Sequence, residues 1–325
     1  SSRRRHTRYI GDWSSDVSSS DLSKRKVEDM LAGARIDVDL DKKNPADFVL
    51  WKKDTEGLKW DSPWGPGRPG WHIECSAMSM DALGETFDIH GGGSDLKFPH
   101  HENEIAQSEC VTGKEFAKVW MHTGSLRIDK EKMSKSLKNF ITIKDALKHN
   151  TSEVLRFFLI SSHYRSPLNY SEEGLSESKT SLDRLYNALK DLTLDENLVS
   201  KSNYFKKFHD VMKDDFNTPA GISVLFEMAR EINSLKKDHK EKEANALGSE
   251  LKVLSKSLGI LQQNPDDFFK AGASLSEKEI DNLIKKRNEA RSNRDFKLAD
   301  EIRDNLLSKG IVLEDKESGT VWKKD

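Results

Sequence analysis

The chain has 325 residues, enough for about two domains, and its 33% charged and 35% hydrophobic residues argue against general disorder. Its 53 basic and 55 acidic side chains give a formal net charge of -2, so local basic patches would have to meet any polyanionic partner. No segment approaches the about 18 apolar residues of a membrane-spanning helix, and we expect neither a membrane span nor a secretory signal. Two cysteines, Cys75 and Cys110, cannot build a disulfide framework, which predicts a cytoplasmic protein.

The predicted elements divide the chain into four parts. Residues 1–21 are rich in Ser and Arg without an apolar period, and we expect a disordered or non-native extension, or a basic arm that touches RNA. Residues 22–150 alternate short strands, Gly-rich turns and helices, which is typical of an α/β layer with a parallel sheet. Residues 151–270 predict an all-helical bundle, with one helix start at the capping residue Asn217. Residues 271–325 predict two charged helices followed by a β-hairpin.

Cys75, His100 and Glu104 combine donor types that a zinc ion accepts. His100 and Glu104 lie four residues apart, which on a helix places both on one face, about one turn apart. Cys75 could add a thiolate, giving three of the four ligands that zinc usually takes. Two alternatives stay open: the HHENE segment could be a polar helix start beside a core cysteine, or His101 could replace His100. The spacing favours His100.

The HGGGSDL segment follows a strand-like FDI segment. Its three glycines, Gly92 among them, let the backbone approach a ligand closely. Asp95 is placed to accept hydrogen bonds from ribose hydroxyls or from an amine. A plain Gly-rich turn with an aspartate cap would explain the same pattern.

The KMSKS segment begins at Lys132, on a loop after a predicted strand. Its two lysines, Lys132 and Lys135, can bring ammonium groups to polyphosphate oxygens and stabilise the charge that develops as pyrophosphate leaves. A solvated basic turn is the alternative interpretation.

Several segments occur in a fixed order at compact spacing, namely GWHIECSAM, FDIHGGGSDLKFPHHENEIAQSE, WMHTG, EKMSKSLKNF, DDFNTPAGISVLFEMAREIN, GIVLED and GTVWK. With them the chain resembles cysteinyl-tRNA synthetase, a family of class I aminoacyl-tRNA synthetases, from about residue 22 onward. The resemblance implies the C-terminal half of a Rossmann catalytic domain, then a helical bundle and a small mixed α/β anticodon-binding domain. It also implies a monomer that activates L-cysteine with ATP and transfers it to tRNA(Cys).

The site residues of the family carry over to this sequence by motif. The resemblance implies that Cys75, His100 and Glu104 bind one zinc ion per chain, which holds the substrate thiolate. It implies that Trp71 lies against the substrate side chain. A serine substrate lacks the sulfur ligand and would be rejected at the binding step.

Nucleotide contacts carry over in the same way. The resemblance implies that Asp95 holds the adenosine ribose beside Gly92. Lys135 is the ATP contact and Lys132 supports it, with ATP entering as its Mg²⁺ complex. The substrate carboxylate is already an anion, so its in-line attack on the α-phosphate requires no general base.

The terminal domain carries helical arginines beside the predicted hairpin. By resemblance, Arg291, Asp300 and Asp315 are the candidates for anticodon contacts. Phe296 or Trp322 would stack on an unpaired base. A solvated arginine face is the alternative.

The sequence also departs from the family pattern. It contains no HIGH motif, and a cysteine that would serve as fourth zinc ligand is missing from the expected place. We therefore expect a C-terminal portion of the enzyme that is inactive alone. Two alternatives are a ligase that joins cysteine to an amino sugar, and a catalytically dead fragment that binds tRNA.

Overall fold

The computed structural model describes residues 22, 48–53, 57–128, 131–133, 139–195, 202–270, 275–316 and 319–324. The expected extension at residues 1–21 lies outside them. Contacts divide the chain into two units. The first unit comprises Ser1–Leu137 with Tyr164–Asn169, and the second comprises Lys138–His163 with Tyr170–Asp325.

The centre of the first unit is a parallel βαβ arrangement. In chain order its elements are β1 (Trp51–Lys53), β2 (Gly67–Pro69), α1 (Trp71–Leu83), β3 (Phe87–Gly93), a π-helical turn (Lys97–His101), α2 (Glu102–Thr112) and β4 (Ala117–Thr123). Strands β3 and β4 pair in parallel, with Ile89 opposite Val119 and Gly92 opposite His122. Such a connection needs a crossover, and α2 supplies it.

Aromatic packing closes the base of this unit. The buried rings of Phe87 and Phe116 meet edge to face with centroids 4.9 Å apart, and Met80 and Trp120 pack around them. Helices α1 and α2 are joined by a hydrogen bond from Ser108 Oγ to Ser76 Oγ of 2.8 Å. These contacts hold both helices beside the strand ends.

A small sheet follows the βαβ arrangement. It has the order β6 (Glu131–Lys132), β5 (Leu126–Ile128), β7 (Leu168–Tyr170), with β5 and β6 antiparallel. The backbone of Lys132 pairs with that of Arg127, so the KMSKS segment begins on a strand.

The second unit begins as a helical bundle. In chain order its helices are α3 (Ile143–His149), α4 (Ser152–Ile160), α5 (Glu172–Leu189), α6 (Asn203–Lys213), α7 (Thr218–Lys237), α8 (Glu241–Leu258) and α9 (Pro265–Lys270). The predicted helix start at Asn217 is confirmed, because its side chain accepts a hydrogen bond of 3.1 Å from the Ala220 N–H and Pro219 lies in the first turn.

A buried carboxyl group ties the bundle together. Glu153 of α4 is 6% exposed and accepts hydrogen bonds from the Tyr186 hydroxyl at 2.9 Å and from Gln263 Nε2 at 3.0 Å. The backbone N–H of Leu261 donates to the same carboxyl group. Apolar side chains with no more than 2% exposure surround this centre, among them Leu182, Leu185, Leu225, Met228, Ile232 and Leu251.

Two helices and a hairpin end the chain. They are α10 (Glu277–Ser292), α11 (Phe296–Ser308), β8 (Ile311–Lys316) and β9 (Gly319–Lys324), and we call them the terminal domain. Their core consists of Ile280, Ile284, Ile302, Leu306, Ile311 and Trp322. No helix in the described part of the chain combines the length and the apolarity that a membrane crossing requires.

Candidate functional site

Polar side chains gather at the carboxyl ends of β3 and β4. His90 lies late in β3 and His122 late in β4, while His101 and Glu104 lie at the start of α2, which follows β3. The carboxyl edge of a parallel sheet is where ligands bind in open α/β folds. We call His90, His101, His122 and Glu104, with Cys75, His72 and His100 beside them, the histidine site.

Glu104 lies at the centre of the histidine site. It is buried, and its Oε2 atom lies 3.1 Å from His90 Nε2. That approach does not have hydrogen-bond geometry, so this buried oxygen has no hydrogen-bond partner among the described residues. The thiol of Cys75, on α1, donates a hydrogen bond to the Glu104 carboxyl group. The structure therefore brings together two of the predicted ligands.

His101 packs inside the site. Its Nδ1 atom lies 3.0 Å from His122 Nε2, and its ring meets that of His90 edge to face at 4.7 Å. Burial lowers the pKa of His101 to about 4, although the charge of Glu104 opposes that shift. A side chain at position 92 would lie 2.8 Å from the His101 ring, so Gly92 is needed for this packing.

His100 faces a different neighbour. Its Nδ1 atom lies 2.8 Å from Nε2 of His72, and the exposed Trp71 ring lies over it with centroids 4.9 Å apart. Among the described residues, the set whose ligand atoms all lie within 4.8 Å of one another is His90, His101 and Glu104. The set that the structure assembles thus contains His101, whereas the spacing favours His100.

The local backbone explains this difference. The spacing argument assumes that His100 and Glu104 share one regular helix. In the structure α2 begins at Glu102, and His100 belongs to the π-helical turn before it. His101, three residues before Glu104, is the N-cap of α2 and directs its ring toward the carboxyl group.

The donor set fits a borderline metal cation such as zinc. A buried carboxyl oxygen without a hydrogen-bond partner faces imidazoles and lies beside a thiol. Burial lowers the pKa values of His101, His72 and His122, which keeps these rings neutral and able to donate a lone pair at pH 7. Burial, followed by the charge of Glu104, raises the pKa of Cys75, and a bound cation would reverse that effect.

The predicted nucleotide contacts are described only in part. The carboxyl group of Asp95 folds back toward Gly93, where its Oδ1 atom would lie 2.5 Å from an added Cβ. Gly92 accepts a hydrogen bond of 3.4 Å from Thr123 Oγ1 at the strand ends. Lys132 is described by its backbone alone, and Lys135 lies outside the described residues.

In the terminal domain, Asp315 is bound by several donors. Both terminal nitrogens of the buried Arg287 donate to its two oxygens at 2.9 Å. Arg291 donates to Oδ2 at 2.7 Å and Thr320 to Oδ1 at 2.8 Å. Two of the predicted anticodon contacts, Arg291 and Asp315, are therefore ion-paired with each other.

The other candidates of the terminal domain separate by exposure. Asp300 lies on the surface of α11, 4.0 Å from Arg303. Phe296 is 62% exposed, whereas Trp322 is 7% exposed in the domain core. The suggestion that Trp322 stacks on a base is therefore wrong, because β9 turns this ring inward. Phe296 is the remaining candidate.

We expect the Asp315 cluster to make the stability of the terminal domain depend on pH. Hydrogen bonds, first from Arg287, hold the pKa of Asp315 well below its usual 3.8. At pH 7 Asp315→Asn should cost only about 1 kcal/mol, because the carboxyl group is 46% exposed and water screens the pair. The wild-type advantage should shrink as the pH falls below 3.8, because the folded state must then take up a proton. Thermal unfolding of both proteins from pH 7 to pH 2 measures it, and a constant difference would contradict this assignment.

Sequence reasoning missed part of the site. His72 and His122 stand in the GWHIE and WMHTG segments, and only their position at one strand edge unites them. Gln107 donates a hydrogen bond of 2.6 Å to the backbone carbonyl of His72 and so supports this residue from α2. The repeated occurrence of histidine near predicted strand ends was the available signal.

Three family models match successive parts of the chain. Residues 8–180 match the class I (C) tRNA synthetase catalytic domain, and residues 207–262 match the DALR domain. Residues 276–322 match the cysteinyl-tRNA ligase anticodon binding domain.

Curated relatives give the same result. A cysteine–tRNA ligase of Shewanella loihica is 55% identical over 305 residues, 93% of this chain and 66% of that protein. One of Haemophilus influenzae is 54% identical with the same coverage. One of Coxiella burnetii is 52% identical over 306 residues, 94% of this chain and 67% of that protein. The chain thus spans about two thirds of the length of these relatives.

The parallel βαβ arrangement, with its polar cluster at the carboxyl edge and a catalytic-domain match over residues 8–180, defines a class I tRNA synthetase. The predicted fold class, an α/β catalytic part followed by a helical bundle and a small mixed α/β domain, is confirmed. Within this class, the chain belongs to the cysteine–tRNA ligase family.

Proposed function

We propose that the protein is a cysteine–tRNA ligase, which uses ATP to form cysteinyl-adenylate and transfers the cysteinyl group to tRNA(Cys). The observation that carries the proposal is the buried Glu104 carboxyl group, which lies beside the Cys75 thiol and among imidazoles at the carboxyl edge of the sheet. A site of this composition suits a thiol substrate that shares a soft cation. We further propose, from the family resemblance, that the protein acts as a cytoplasmic monomer.

Cys75, Glu104 and one imidazole, that of His100 or His101, would hold one zinc ion. When bound, zinc supplies a Lewis acid that favours the thiolate form of the substrate cysteine. A serine substrate offers no such ligand, and a site built for the thiol leaves its polar groups unpaired when serine enters. Selection against serine therefore needs no separate editing site.

The residues of this chain would position the other reacting groups. The Trp71 ring is 69% exposed above His100 and can cover the substrate side chain against water. Asp95 would hold the ribose hydroxyls of ATP, which enters with Mg²⁺. Lys135, supported by Lys132, would stabilise the departing pyrophosphate, while the cysteine carboxylate attacks the α-phosphate.

We expect metal content to identify the imidazole ligand. His100→Ala and His101→Ala remove neighbouring rings of which one faces His72 and the other faces Glu104. Loss of a zinc ligand should lower zinc affinity by about 10-fold to 100-fold or more, as for a weakened ligand shell. Equilibrium dialysis against zinc, with circular dichroism as a folding control, compares the two variants. Unchanged zinc affinity in both variants would contradict the proposed site.

We expect Arg291 to contribute to anticodon reading. It is half-exposed and orders the Asp315 carboxylate, so the pair offers donors and acceptors to a base edge beside the exposed Phe296 ring. Arg291→Ala should cost about 1 to 3 kcal/mol of tRNA binding and relax discrimination at one anticodon position. Binding to anticodon-variant tRNAs measures this effect. Equal losses across all variants would mean that Arg291 contacts only phosphate.

Cysteine-dependent ATP–pyrophosphate exchange tests the proposed activity in the full-length gene product. Exchange with L-cysteine but not L-serine, together with charging of tRNA(Cys), is the expected result. Exchange without charging of tRNA, but with transfer to an amino sugar, would favour the alternative ligase. Absence of exchange with retained tRNA binding would favour a catalytically dead tRNA-binding protein. The anticodon binding domain match over residues 276–322 favours the tRNA ligase over the amino-sugar ligase.

A further inference from the structure

The short helix α9 contacts both the helical bundle and the terminal domain. On its bundle side, the buried Phe268 ring stacks on Tyr186 of α5, with centroids 3.8 Å apart and planes at 17°. On its other side, Lys270 Nζ lies 5.5 Å from the centroid of the Trp322 ring on β9. Two side chains of one helical turn therefore reach two different cores.

Lys270 joins three elements. Its ammonium group lies over Trp322 and forms an ion pair with Glu277 in the first turn of α10. The hydrogen bond to Glu277 raises the pKa of Lys270, so the ammonium group stays charged at neutral pH. A cation over an indole ring is the strongest of the common cation–π pairs. The end of α9 is thereby held against both α10 and β9.

The two partner rings belong to rigid surroundings. The Tyr186 hydroxyl is fixed by the buried Glu153 carboxyl group, and Trp322 is part of the terminal-domain core. A second approach lies nearby, since Lys323 of β9 is close enough to Asp183 of α5 to oppose the burial that raises the pKa of Asp183. Contacts between fixed partners transmit position, whereas contacts between mobile side chains do not.

We propose that Phe268 and Lys270 are positioning residues, which fix the terminal domain relative to the helical bundle so that a tRNA meets a preset arrangement. The proposal rests on the proposed function, in which one tRNA reaches from the terminal domain to the rest of the chain. After one end of the RNA has bound, the second contact is intramolecular, and its strength depends on the effective concentration that the protein geometry sets. A fixed domain avoids the ordering cost that a loosely tethered one would add to binding.

The test compares two RNA probes, the complete tRNA(Cys) transcript and its isolated anticodon stem–loop. Lys270→Met removes the charge but keeps most of the stem, and Lys270→Arg keeps the cation. We expect Lys270→Met to weaken binding of the complete tRNA by about tenfold, while stem–loop binding changes less than about twofold. Lys270→Arg should restore binding. Lys278→Met, at an exposed lysine of α10, is the matched control for the loss of one charge and should leave the ratio of the two affinities unchanged.

Equal weakening for both RNAs would overturn the proposal, because it would mean direct RNA contact by Lys270 or damage to the terminal domain. Unchanged binding of both RNAs would also overturn it. These results are distinct from a failure of the proposed function, in which the wild-type chain would bind neither RNA.

A second measurement needs no RNA. Spin labels at Asn233→Cys on α7 and Lys297→Cys on α11, both exposed, report the distance between bundle and terminal domain in a background without Cys75 and Cys110. The distance distribution should be narrow in the parent protein and broader with Lys270→Met or Phe268→Ala. A distribution of unchanged width in both variants would overturn the proposal.

Discussion

Replacing Glu153 with alanine is expected to destabilise the helical bundle by about 3 to 5 kcal/mol. The carboxyl group is 6% exposed and accepts hydrogen bonds from the Tyr186 hydroxyl, the Leu261 N–H and the Gln263 side chain. Alanine would leave these three buried donors without an acceptor and would open a cavity between α4 and α5. Urea unfolding followed by helical circular dichroism measures the loss.

A matched control separates this effect from the loss of any glutamate. Glu177→Ala removes an exposed carboxyl group from α5, and a surface change of this kind should stay within about 0.5 kcal/mol. Glu153→Gln keeps the volume and should fall between the two. If Glu153→Ala were as stable as Glu177→Ala, the buried network would not hold the bundle together.

The second large effect concerns the KMSKS segment. Lys135→Ala in the full-length gene product should slow cysteinyl-adenylate formation by about 10²-fold to 10³-fold, as for the loss of one preorganised donor to a developing charge. Cysteine binding should change little, because the ammonium group is used chiefly as pyrophosphate departs. Lys144→Ala, at an exposed lysine of α3, is a control for the loss of charge. Single-turnover kinetics separate binding from activation, and an unchanged activation rate would make KMSKS only a basic turn.

Local signals predicted much of the fold. The helix start at Asn217 needs only a capping side chain and a proline in the first turn, and both lie within three residues of sequence. The alternation of strands and helices around FDIHGGG likewise predicted a parallel unit, which the pairing of β3 with β4 confirms.

Tertiary placement was harder to predict. The sequence carries no sign that α2 begins at Glu102 after a π-helical turn, and this irregularity decides whether His100 or His101 faces Glu104. Trp322 offers the same ring to a solvent surface or to a core, and only the packing of β9 on α10 and α11 decides between them. Arg287 was one of several helical arginines until the hairpin placed Asp315 within 2.9 Å of it.

The most direct test of cysteine recognition is spectroscopic. The chain is loaded with Co²⁺ in place of zinc and titrated with L-cysteine or L-serine, while sulfur-to-cobalt charge-transfer absorption is recorded. The account predicts a saturable increase with cysteine and none with serine, because only the thiolate can join Cys75 and Glu104 on the metal. An identical response to both amino acids, or no response to cysteine in a metal-loaded chain, would contradict it.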